Sequence, residues 1–146
     1  MDRMDDLVQF LRARLDEDAA IAKRVESRWR QIGETGVIVA SDGTHAEECA
    51  NGNWTGIADH IARHDPARVL AEVDAKRRMV DVHGPRKLYP DADSLLQRTL
   101  IVCRSCGPSQ FPKRPASHHM YPCPTLRLLA LPYVDNHPDY RDTWRP

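Results

Sequence analysis

CRSCGPSQFPKRPASHHMYPC, residues 103–123, decides how this chain is read. The stretch opens with a Cys-x-x-Cys pair, carries a doubled histidine and closes on a third cysteine. The pattern Cys103-x2-Cys106-x12-His119-x3-Cys123 sets three thiolates and one imidazole at spacings suited to tetrahedral zinc. Gly107, next to the second cysteine, relieves the backbone where both sulfurs must turn toward one point. His118 can stand in for His119, and His83, far upstream, is a third candidate for the fourth ligand. Four protein donors leave no position for water, so such a metal is a structural staple that contributes folding energy.

Other readings of the same residues fit less well. A redox Cys-x-x-Cys needs a helix opening at its first cysteine, and Gly107-Pro108 follows directly. A groove-reading finger of two cysteines and two histidines needs a recognition helix, which Pro112, Pro115 and Pro122 deny. Disulfides and unliganded thiols are the remaining alternatives.

Working outward, the 146 residues carry 21 basic and 21 acidic side chains, so zero formal charge removes any global attraction to nucleic acid or membrane. The charge is unevenly placed. Residues 31–65 hold six acids against Arg63 alone, whereas residues 98–127 hold five bases and no acid. The opening MDRMDDLVQFLRARLDED is charged throughout, without the apolar core of a signal peptide, and no run reaches the roughly 20 apolar residues of a membrane span. A cytoplasmic chain is expected, in which a Cys-x-x-Cys with further Cys and His downstream favours metal over disulfide.

Leu7, Leu11, Leu15, Ile21 and Val25 recur at mostly helical spacing and predict an amphipathic helix over about 3–28. VIVA at 37–40, followed by Ser41-Asp42-Gly43, predicts a small antiparallel hairpin or meander. GIADHIARH predicts a helix that Asp65-Pro66 breaks. Asp65 as N-cap and Pro66 at the first helical position start another helix, ending near His83 before Gly84-Pro85, with Pro66, Val69, Val73 and Val80 inward. Residues 91–102 read as helix or strand, 107–124 as loop, TLRLLAL at 125–131 as a short helix after Pro124, and the rest as an extended aromatic tail.

HIARHDPARVLAEVDAKRRMVDVH at 60–83, TLRLLALPYVDNHPDYRDTWRP at 125–146 and the opening MDDLVQFLRARLDED resemble a family of short uncharacterised proteins from Streptomyces, related actinobacteria and their phages, described only as a domain of unknown function. These motifs cover a little under half the chain and leave the hairpin and residues 84–124 outside. The resemblance implies a source and carries no activity.

Two further constellations stand out. His60 and His64 sit at i and i+4, a spacing that can share a metal, but Ile61 occupies the place of the glutamate general base in H-E-x-x-H. Arg77, Arg78, Arg86 and Lys87, with the acid-free segment, can form a cationic face. Cys49 lies among acids that raise its pKa and is a poor nucleophile.

The sequence therefore predicts a mainly helical α+β single domain over 1–146: a helix-hairpin-helix core with kinked central helices over 1–83, a zinc loop over 84–124, and a short helix with an extended tail over 125–146. The expected function is binding without catalysis, an accessory or regulatory protein whose zinc loop presents Arg104, Lys113 and Arg114 to an acidic partner, protein before nucleic acid, and not to a membrane. The rival readings are a metal-dependent hydrolase or nuclease using His60 and His64, and a homo-oligomeric interaction module.

Overall fold

A computed structural model describes residues 5–25, 27–41, 46–108 and 115–146. The fold is α+β. By internal contacts the chain divides into two compact units, residues 15–75 and residues 1–14 with 76–146. No described helix is long and apolar enough to cross a membrane.

The first helix, α1, spans Asp6–Lys23, with Asp6 in its first turn and Lys23 in its last, each sign complementing the helix dipole. Its buried stripe is Leu7, Leu11 and Leu15, continued by Ala19 and Ala22. Ile21, expected on this stripe, is 57% exposed, because six residues beyond Leu15 is about 240° around a helix. Val25 lies past the helix end and is also exposed.

In the 15–75 unit, β1 (Arg28–Gln31), β2 (Val37–Ser41) and β3 (Ala46–Asn51) form an antiparallel meander in the order β1-β2-β3. The Asp-Gly turn expected to join β2 and β3 lies outside the described residues. Ile38 and Val39 are both buried, and the β2–β3 register shifts between them, leaving Cys49 opposite no partner. Gly36 has φ +79° and its missing Cβ would stand 2.0 Å from the Gly52 carbonyl oxygen, so no other residue fits that turn.

Helix α2 (Thr55–Arg63) ends at His64, and α3 (Pro66–Val82) starts at once. Asp65 explains the break. One of its carboxylate oxygens accepts from the Arg68 backbone N–H at 2.8 Å, the N3 donor of α3, and the other accepts from the Trp29 N–H at 3.1 Å. Along α3, Pro66, Val73 and Val80 are buried and Val69 half-buried, as the spacing predicts. Glu72 pairs with Arg68 at 2.7 Å on the outer face.

In the other unit, β4 (Pro85–Lys87) and β5 (Ile101–Cys103) form an antiparallel ribbon, with α4 (Leu95–Arg98) in the connection. Residues 91–102 thus hold both helix and strand. Helix α5 (Pro124–Ala130) follows Cys123, with proline at its first position. Beyond it the chain departs from the expected extended form. Residues Leu131–Tyr133 and Asp142–Trp144 make 3-10 turns, because the aromatic side chains converge on Phe10 of α1. Phe10 meets the rings of Tyr133, His137, Tyr140 and Trp144 at 5.1–6.2 Å between centroids, mostly edge-on. Leu88, Val102, Leu126 and Ala130 are fully buried in the same unit.

Candidate metal centre

Three segments carry the site, and backbone hydrogen bonds bring them together. His83 follows the last turn of α3, its N–H donating to the Met79 carbonyl at 3.1 Å. The ribbon then returns the chain: Pro85 pairs with Cys103, and the Arg104 N–H donates to the Gly84 carbonyl at 2.8 Å. The third segment is laid on β5 by the Tyr121 N–H donating to Ile101 at 3.2 Å and by a bridge between Val102 and Met120. It delivers Cys123 at the start of α5.

The turn at Cys103–Gly107 has the geometry the spacing implies. The Gly107 N–H donates to the Cys103 carbonyl at 2.7 Å, and the Cys106 N–H points at the Cys103 sulfur at 3.4 Å. A Cβ on Gly107 would stand 2.5 Å from that carbonyl oxygen, so only glycine closes the turn.

The result is a group of four donors, His83, Cys103, Cys106 and Cys123, whose ligand atoms all lie within 4.8 Å of one another. His83 Nδ1 is 3.3 Å from the Cys103 Sγ, 3.4 Å from Cys106 Sγ and 3.5 Å from Cys123 Sγ. With Zn–S near 2.3 Å and Zn–N near 2.05 Å, an ideal tetrahedron puts sulfur and nitrogen about 3.6 Å apart. The three sulfur–nitrogen distances are therefore close to those of a tetrahedral site, and the group could hold a metal ion.

Electrostatics favours the same conclusion. Cys103 and Cys123 are fully buried. The Cys106 thiol is pushed up to about 12, first by burial and then by the neighbouring Cys103 and Cys123 sulfurs. Three thiolates cannot ionise side by side in a partly dry site without a cation among them. A divalent ion held by the four donors would supply that charge.

Three of the four residues taken from the 103–123 stretch enter this group. The fourth donor is His83. His119 is not in it: the 3-10 turn Ser117–His119 sets its ring edge-on to His118, 4.1 Å between centroids, and its buried Nδ1 has no hydrogen-bond partner among the described residues. The cue that identifies His83 is indirect. A histidine at a helix end followed by Gly-Pro is followed by a strand that pairs with the strand carrying the first cysteine.

The remaining candidates lie apart. Arg104 is exposed on the turn between the first two cysteines, while Lys113 and Arg114 fall outside the described residues. Arg86 is tied to the loop, donating to the Pro108 carbonyl at 3.1 Å. His60 and His64 stack at 4.4 Å, with His64 Nδ1 2.9 Å from the His60 carbonyl, but they join no group of three potential ligands among the described residues. Cys49 is exposed, and its pKa is raised by burial of the thiol and, to a smaller extent, by Glu48.

The family model of DUF6221, a family of unknown function, matches residues 4–146, and the chain belongs to that family. The match takes in the hairpin region and residues 84–124, both outside the motifs that suggested a relationship. No curated protein and no solved structure matches the chain.

Proposed function

We propose that this member of a family of unknown function is a zinc-stapled binding protein without catalysis of its own, acting as an accessory or regulatory partner. The observation that carries the reading is the donor set of His83, Cys103, Cys106 and Cys123 within 4.8 Å. Four protein ligands are what structural zinc takes, with no position left for substrate or reactive water. Thiolates beside imidazole select zinc over the oxygen-preferring cations.

The staple fixes the end of α3, the β4–β5 ribbon and the start of α5, so the surface it rigidifies is the binding surface. Residues 98–127 hold bases and no acid, and Arg104 is exposed at the metal turn. An acidic protein is the preferred partner and a nucleic acid the second. Reduced thiols suit a cytoplasmic setting, and the sequence motifs suggest an actinobacterial or phage source.

The test is fluorescence anisotropy at low ionic strength with polyglutamate, single-stranded RNA and duplex DNA, using the native chain and Arg104→Glu. Binding of at least one probe that weakens with salt and with the charge reversal supports the reading. Absence of binding to all three rejects the acidic partner.

A further inference from the structure

Pro122 and Pro124, the residues on either side of Cys123, line a cavity of about 290 Å³. Ser117, His118, Tyr121, Arg127 and Arg145 give it polar groups, Pro146 also lines it, and no Asp or Glu is among the described residues that do. We propose that this cavity is a phosphomonoester site, in which Arg127 and Arg145 hold the phosphate and the two prolines support a small apolar or planar group. The proposal stands on residues other than the metal ligands and goes beyond the zinc-stapled reading.

Arg127 is the pre-organised element. Its Nε donates to the Pro122 carbonyl at 3.2 Å, and its Nη1 donates to the carbonyls of Thr143 at 2.9 Å and Arg145 at 3.5 Å. These acceptors fix the guanidinium plane but are neutral, so the half-buried cation keeps its whole charge and has no carboxylate partner among the described residues. A fixed guanidinium loses little freedom when it takes a ligand, and its fork matches phosphate oxygens.

Arg145 brings a second guanidinium from the tail. It pairs with Asp142 at 3.2 Å, but the two side chains are 54% and 87% exposed. Such a pair is screened and weak, so a doubly charged phosphate displaces the carboxylate at small cost. The Ser117 hydroxyl and the exposed His118 imidazole add further hydrogen-bonding groups to the lining. Two cations from separate segments suit a tetrahedral dianion better than a planar monoanion. The volume sits at the lower edge of small-molecule pockets, about 300–1,000 Å³, and so fits a small ester rather than a polymer.

The experiment is calorimetric titration of the full chain with phenyl phosphate and with benzoate at low ionic strength, the site being mapped by backbone amide shifts. The expected result is saturable one-to-one binding of phenyl phosphate, with shifts at Ser117, His118, Arg127 and Arg145 and benzoate at least about tenfold weaker. Arg145→Gln, at an exposed position, should unfold at the unchanged temperature yet bind about tenfold more weakly, the worth of one charge-assisted contact. Arg127→Lys keeps the charge, loses the fork and should weaken binding likewise. Absence of saturation, equal affinity for benzoate, or native affinity in Arg145→Gln would overturn the proposal. So would tighter binding of a 5′-phosphorylated oligonucleotide than of phenyl phosphate.

Discussion

Replacing His83 with alanine removes one of the four donors that could hold a metal ion and leaves the three sulfurs. Zinc bound by such sites is worth about 10–16 kcal/mol in apparent free energy, so one donor of four carries about 2.5–4 kcal/mol. Affinity should fall on the order of 10²–10³-fold. With free zinc buffered at about 100 times the native Kd, the native chain gains about 2.7 kcal/mol of stability from the metal. A variant weakened about 100-fold is only half-occupied at that concentration and gains about 0.4 kcal/mol. The difference, about 2.3 kcal/mol, is worth roughly 5–9 °C in Tm for a chain of this length. The assay is thermal unfolding by circular dichroism in zinc buffer and in chelator, for the native chain, His83→Ala and His119→Ala. His83→Ala should lose most of the zinc-dependent gain and His119→Ala should keep it. The reverse pattern would refute the assignment of the nitrogen ligand.

Acidity should act oppositely on the metal-free and metal-bound forms. The Cys106 pKa is raised from 9.0 to about 12 in the fold, so its protonated form is the one folding favours. In chelator, stability is therefore full below about pH 9 and falls as pH rises toward 12, whereas the zinc form is lost as pH falls and protons displace the metal. Urea midpoints at about pH 7.5 and 10.5 check this; a chelator midpoint that rises with pH contradicts it. Asp65→Ala removes acceptors for both Arg68 and Trp29 and should cost about 1–3 kcal/mol by urea unfolding, with zinc affinity unchanged. Phe10→Ala removes the ring on which Tyr133, His137, Tyr140 and Trp144 converge and should cost about 3–5 kcal/mol, with a red shift of tryptophan emission as Trp144 is exposed. A cost under about 1 kcal/mol would show that the tail docks without it.

Local chemistry was legible in the sequence and long-range pairing was not. Asp65-Pro66 specifies a cap and a first helical position within two residues, and α3 begins there. Leu7, Leu11 and Leu15 set the face of α1, but the stripe passes on to Ala19 and Ala22, whose small side chains give a weaker signal than Ile21. The cysteine spacing points to three sulfurs that the structure brings into one possible metal-binding group, because the tight turn at Cys103–Gly107 is local. The nitrogen ligand depends on the ribbon pairing Pro85 with Cys103, a contact between residues 18 apart along the chain. Within residues 103–123 His119 was the obvious choice, and only the pairing of β4 with β5 makes His83 the nearer donor. The prolines of the tail exclude a long helix and predict an extended form; its aromatic residues find Phe10 more than 120 positions away, which no local pattern announces.

The most direct test of the central claim is zinc-edge X-ray absorption combined with elemental analysis on protein purified without a polyhistidine tag. One zinc per chain is expected, bound by three sulfurs at about 2.3 Å and one nitrogen at about 2.0 Å with no oxygen. A shell containing water or two nitrogens, or a chain that holds no metal, would contradict it.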